Sequence, residues 1–262
     1  RVIKSTLNVF NRYKYETHQE RLATALRAET KQALSTLHQV NFYNHKPYLE
    51  FPQSNEDLDN FLNSLNWNKP WSAGAQFAGL CLFTSLLDEK EKKNKIIKDL
   101  EKFSDKLVNK DGTYYFGVQK DKREVINGVM KIVSGFDWIE KEIHYPEKII
   151  DLCLATKPSH EGCDLVDIVY VLYMSCKETT YKRKETIDYL QSLLPIIELH
   201  YCKEYGGFSY YLNKSQQTYY GLNITKGLNT PDIHGTTLLL WALSMIFSVT
   251  ESGNDNWQVL KP

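Results

Sequence analysis

At 262 residues with 42% hydrophobic content, the chain is long enough for one large domain or two small ones around a continuous core, so disorder is not the default. Its 32 basic and 32 acidic residues cancel, leaving no global field to hold it on nucleic acid or an anionic membrane, and neither partner is expected.

Helical periodicity dominates from the start. Thr17 to Val40 carries apolar or small residues at Leu22, Ala25, Leu26, Ala33, Leu37 and Val40, the three-and-four spacing of an amphipathic helix. The asparagine-led, acidic start of NEDLDNFLNSL, from Asn55, predicts the next helix. There follow an apolar helix over Ser72 to Leu87, a charged one over Lys90 to Val108 and an apolar one over Glu124 to Phe136. The dense mixed run Asp88 to Lys102 reads as a solvated helix face with opposite charges three and four residues apart. PEKIIDLCLAT begins with Pro146 where a missing N–H costs nothing. Helices are then expected over Glu161 to Cys176, Tyr181 to Cys202 and Pro231 to Thr250. The short aromatic segments GTYYFGV and GGFSYYL, each led by glycine, predict small hairpins or irregular loops.

The order of these helices carries the architecture. Strongly apolar helices must be buried on most sides, whereas charged amphipathic ones wrap outside them, so their alternation predicts an all-α protein with inner and outer layers. The junctions NKPWSAGAQ, KREVINGVM, SHEGCDLVD and NTPDIHGTT each put small and polar residues at the first turn of an apolar helix, at intervals of roughly 40 to 70 residues, as a degenerate helical-hairpin repeat would. Five cysteines without a CxxC pair indicate intracellular usage. No apolar run approaches the roughly 18 residues of a spanning segment and no leader opens the chain, so a cytoplasmic protein without a membrane span is expected. The chain opens on Arg1 rather than Met, as a piece of a longer protein would.

GGFSYYLNKSQ followed by PDIHGTTLLLWAL, together with VDIVYVLY, resembles the α/α-toroid superfamily of terpenoid cyclases and protein prenyltransferase β subunits. There, glycine-rich GGF loops precede inner helices that open on a central cavity. The resemblance covers Gly112 to Ile246 by motif and the N-terminal part by helix alternation, and it implies one α/α-toroid domain over residues 1–262. Glycan-processing enzymes share this architecture, so the fold specifies activity poorly.

If the inner helices enter from one end, Gln76, Asn127, Lys131, Asp164, Asp167, Asp232 and His234 line one mouth, with Trp71 from the preceding loop. Helix N-termini there would favour a phosphate, pyrophosphate or carboxylate. Capping is the competing reading for Asp232. Asn127 and Lys131, four apart, share a helix face, although a lysine after an apolar turn also snorkels to solvent. Cys163 and Asp167 are likewise four apart, and with His234 they supply the thiolate, carboxylate and imidazole that suit zinc. In the resembled prenyltransferases the acid and thiol form an Asp-x-Cys element. Here Asp167 matches the acid and His234 the histidine, but Val169 stands where that cysteine belongs. In the resembled cyclases an Asp-rich element protonates an alkene. At the analogous place this chain has Asp232, Ile233, His234 and Gly235, and a histidine has too high a pKa to protonate an olefin. Asp164 and Asp167 alone lack the further acids of a magnesium–diphosphate motif.

Carboxylates for glycosidic chemistry are available at Glu124, Asp164, Asp167 and Asp232, and seventeen tyrosines and five tryptophans supply sugar-stacking surfaces. Both isoprenoid chemistries lack a residue they need, which places a glycan or glycoconjugate ahead as substrate. The expected catalytic or acid–base groups are then Asp167, His234, Asp164 and Asp232, with Trp71, Gln76, Asn127 and Lys131 binding substrate and no cofactor required. A prenyl-diphosphate enzyme and a non-catalytic helical binding scaffold are the alternatives.

Overall fold

The computed structural model describes residues 18–42, 47–119, 121–219, 222–252 and 258–262. Among them the helices are α1 (His18–Gln39), α2 (Asn55–Ser64), α3 (Pro70–Ser85), α4 (Lys90–Leu107), α5 (Lys122–Ile139), α6 (Pro146–Leu154), α7 (Gly162–Glu178), α8 (Arg183–Glu198) and α9 (Ile233–Thr250). Among the described residues strands are confined to two antiparallel pairs of two-residue segments, β1 (Tyr201–Cys202) with β2 (Gly207–Phe208), and β3 (Thr218–Tyr219) with β4 (Leu222–Asn223). The all-α expectation is met. Two compact units emerge, one holding Pro158–Val169 and Lys184–Val259 with the chain up to Leu26, the other holding Arg27–Lys157, Tyr170–Arg183 and Leu260–Pro262.

In the second unit the helix starts follow local chemistry. Ser54, one residue before the asparagine singled out in the sequence, caps α2: its hydroxyl accepts from the Asp57 N–H at 3.1 Å and donates to the Asp57 carboxylate at 2.7 Å. Pro70 and Pro146 sit in the first turns of α3 and α6, and Asp121 caps α5. Helix α3 is buried almost continuously from Ala73 to Thr84, while the neighbouring α4 buries only Ile96, Leu100, Phe103, Ser104 and Leu107. Charge density thus separates an enclosed helix from an outer one, as the alternation predicts.

Helices α3 and α5 approach too closely for side chains at their crossing. A Cβ on Gly128 would lie 2.5 Å from Pro70 Cβ, and one on Gly74 3.0 Å from Lys131 Cβ. The small residues therefore set the helix separation, and they bring Lys131 directly against α3.

Helix α1 departs from the expected stripe. Leu26 is 41% exposed and Val40 66%, and Ala33 is also exposed, whereas Leu34 and Ser35 are buried. The inward positions of its second-unit part are Arg27, Lys31, Leu34, Ser35 and His38, recurring at three and four residues. Ser35 donates to the Lys261 carbonyl at 3.2 Å, and the His38 ring meets Trp138 edge-on at 5.2 Å. The inner face of α1 is thus partly basic.

In the first unit the expected helix to Cys202 stops at Glu198, even though Pro195 is accommodated inside it. Beyond it, buried His200 donates from Nδ1 to the Ser209 carbonyl at 2.8 Å and Ser209 N–H returns a bond to the His200 carbonyl at 2.9 Å. This exchange draws Tyr201–Cys202 out of the helix and into β1. The hairpin expected at GGFSYYL forms there, with Gly206 turning the chain at φ +69°.

Helix α9 is the most apolar helix and is only partly enclosed. Over Ile233–Thr250 it has a mean hydropathy of 1.5, long and apolar enough to cross a membrane by length and composition, although a core helix of a water-soluble protein passes the same measure. Within Thr236 to Leu243 only Leu239 and Ala242 are buried, while Thr237 and Leu240 are exposed.

Candidate functional site

The residues singled out in the sequence divide between the units. Cys163, Asp164, Asp167, Asp232 and His234 belong to the first, and Trp71, Gln76, Glu124, Asn127 and Lys131 to the second.

Asp232 answers to the capping reading. Its Oδ1 accepts from the Gly235 N–H at 2.8 Å, and its Oδ2 accepts from the N–H groups of Tyr210 at 2.8 Å and Gln216 at 3.0 Å. One buried carboxylate thereby starts α9 and fastens two points of the preceding loop to it. Gly235 completes the joint, since a Cβ there would lie 2.4 Å from the Tyr210 nitrogen. Asp164 accepts a short hydrogen bond from the Ser159 hydroxyl in the lead-in to α7. His234 is half-buried, stacks on Tyr210 with ring centres 5.0 Å apart, and donates from Nδ1 to Gln216 Oε1 at 2.7 Å. Burial, and then the neighbouring Cys163, push the Tyr210 hydroxyl pKa upward, so Tyr210 lies between Cys163 and His234 as a neutral phenol. Asp167 is buried four residues beyond Cys163. Among the described residues no three His, Cys, Asp or Glu side chains gather as a metal set.

In the second unit, Trp71 and Glu124 serve the helix starts: the Trp71 N–H donates to Glu124 Oε1 at 3.0 Å, and the Arg123 guanidinium lies 5.7 Å from the centre of the Trp71 ring. Asn127 is buried one turn before Lys131 on α5. Gln76, buried on α3, accepts from Arg27 Nε at 3.0 Å, and the same guanidinium stands 4.9 Å over the Phe61 ring.

This arrangement brings in two residues that the sequence pattern missed, Arg27 and Lys31, one turn apart on the inner face of α1. Lys131 is the charge that acts on Lys31. Burial first, and the like charge of Lys131 second, hold the Lys31 ammonium down to about 7. Lys31 nevertheless keeps intermediate surface exposure.

Among the described residues no carboxylate stands beside Lys31 or Lys131, and Arg27 donates to the Gln76 amide and lies over the Phe61 ring. A cleft of about 190 Å³ between α2 and α4 shows the contrast. Its acids and bases are mixed, with Lys102 3.6 Å from Asp99, which leaves little field to attract a charged ligand. Like charges four residues apart on a helix, facing inward and acted on by another lysine, cost stability, and residues that break local rules in this way concentrate at functional sites.

Compared with protein-family models, curated proteins and solved structures, the chain matches none of them.

Proposed function

We propose that this chain is an enzyme or ligand-binding protein whose ligand is an acidic glycan or glycoconjugate, held through its carboxylate or phosphate by Arg27, Lys31 and Lys131, with Gln76 orienting Arg27. The observation that carries the reading is the pair Lys31 and Lys131, like charges that act on one another with no carboxylate beside either among the described residues. Such a pair is neutralised best by an anion that arrives with the ligand. The α/α-toroid arrangement belongs to the same proposal. It is supported by the resemblance of the GGF and PDIHG motifs and by the contrast between enclosed α3 and outer α4.

Calorimetric titration with a glucuronate-containing disaccharide, its neutral counterpart and inorganic pyrophosphate tests the reading. Binding of the acidic sugar alone, lost in Lys131→Met, is the expected result. Tight binding of pyrophosphate with no response to the sugar moves the ligand to the prenyl-diphosphate class, and silence with all three refutes the anion site.

A further inference from the structure

We propose that the face shared by the last turns of α1 and α5 is a recognition site for an extended lysyl-prolyl segment, and that the chain's own Leu260–Pro262 occupies it as a strap that can leave. Every group involved belongs to the second unit. Ser35 on α1 donates its hydroxyl to the Lys261 carbonyl at 3.2 Å, and the Trp138 indole N–H on α5 donates to the Pro262 oxygen at 2.8 Å. The Lys261 ammonium donates to the Asp137 carbonyl at 2.8 Å, stands 3.6 Å from the Asp137 carboxylate and lies 5.5 Å from the centre of the Trp138 ring.

These contacts read backbone and one cation rather than apolar bulk. Leu260 is 45% exposed, so little is gained by burying it. The Ser35 and Trp138 donors take successive main-chain oxygens, which an extended chain offers whatever its side chains. Lys261 supplies the selectivity. The N–H groups of Glu140 and Lys141 both go to the Phe136 carbonyl, which leaves the Asp137 carbonyl at the end of α5 for an outside donor. A cation is the donor that suits the partial negative charge of a helix C-terminus, and the indole face adds a cation–π contact. Proline after the lysine favours extended backbone at Lys261 and fixes its own φ, so the pair arrives close to the shape the site holds.

The two sides of the contact are held differently. Ser35 is buried on its helix, and the His38 ring meets the Trp138 indole edge-on at 5.2 Å. Residues 258–262 form neither helix nor strand, and the Lys261 side chain is 40% exposed. Hydrogen bonds to Ser35, Trp138 and Asp137 with one cation–π pair are of the same order as the cost of ordering a free segment. Such a strap opens and closes, and each opening bares an indole N–H, a hydroxyl and a helix-end carbonyl to the same segment supplied from outside.

The experiment is NMR saturation transfer from the intact chain to a peptide of residues 258–262, acetyl-Gln-Val-Leu-Lys-Pro-amide, read at its lysine and proline protons. In the wild-type chain the resident segment competes. Lys261→Glu sets a carboxylate against the Asp137 carbonyl, frees the site and should bind the peptide at least about fivefold more tightly than wild type does. A peptide with glutamate in place of lysine should bind the Lys261→Glu chain about tenfold less tightly, the loss of a charge-assisted hydrogen bond. Adding Trp138→Phe, which keeps a ring and removes the indole donor, should weaken peptide binding about fivefold, and Ser35→Ala gives the same reading if that variant fails to fold. Absence of transfer from the Lys261→Glu chain overturns the proposal, as do equal transfer from both chains and indifference to glutamate in the peptide. Light scattering completes the test: a wild-type monomer supports occupancy by the chain's own segment, whereas a dimer lost in Lys261→Glu places the segment on a second copy and overturns it.

Discussion

Replacing Lys31 with methionine should stabilise the protein, and by an amount that depends on pH. Methionine keeps an unbranched apolar stem of similar length and removes the ammonium. Lys31 titrates at about 7 in the folded chain against 10.5 in the unfolded one. Between those values the unfolded chain binds the extra proton, so wild-type stability rises with pH through that window and is at its lowest below about 7. At about 1.4 kcal/mol per pH unit, the full shift sets an upper bound of about 5 kcal/mol on the penalty for keeping Lys31 charged. Lys31 is partly water-accessible, which screens the charge and reduces the expected figure to about 2 kcal/mol. Urea denaturation of wild type and Lys31→Met at pH 6 and pH 10 measures it. The variant should be about 2 kcal/mol more stable at pH 6 and nearly equal at pH 10. A destabilised variant at pH 6, or a difference independent of pH, would refute the placement of an unpaired ammonium on the inner face of α1.

Asp232→Ala should cost about 2 to 3 kcal/mol in the same assay, because three backbone N–H groups lose their acceptor, and Asp232→Asn should recover part of it. Gly235→Ala should cost about 3 kcal/mol or prevent folding, since its Cβ meets backbone at 2.4 Å rather than a side chain able to move; a near-neutral result in thermal denaturation would count against the α9 joint. Burial and the Lys141 charge outweigh Asp105 and lower the His144 pKa from 6.5, with Nε2 2.8 Å from Asp105 and Nδ1 3.1 Å from the Tyr114 hydroxyl. Stability present above pH 6.5 should therefore fall as pH drops through the folded value, and His144→Asn should flatten that segment of the urea-midpoint profile.

What was legible in the sequence follows which signals are local. The starts of α3 and α6 come from proline at the first turn, and the enclosed and outer characters of α3 and α4 from charge density, all readable within a dozen residues. Asp232 was legible as a cap for the same reason, because the N–H of Gly235 lies three residues away. That its other oxygen gathers Tyr210 and Gln216 was not, since those contacts span 22 and 16 residues. The end of α8 failed likewise: local pattern continues to Cys202, and the competing bonds of His200 come from Ser209 across a turn.

Helix α1 failed for a different reason, and that reason bears on function. Periodicity assigns charged residues to the solvent side, so Leu26, Ala33 and Val40 were read as the core stripe, and Arg27 and Lys31 were passed over. The structure turns the helix the other way, toward Gln76 on α3 and Trp138 on α5. A helix that exposes Leu26 while half-burying a lysine loses hydrophobic transfer energy and adds desolvation, two costs of the same sign. The Arg27–Gln76 bond and the His38–Trp138 and Ser35–Lys261 contacts fix that rotation along about three turns. Gln76, Asn127 and Lys131 were found because polar residues on apolar helices stand out. Arg27 and Lys31 on α1 were hidden because a basic residue on an amphipathic helix does not. A search for the cationic half of such a site should therefore begin with amphipathic helices whose apolar stripe is interrupted every third or fourth position by small residues.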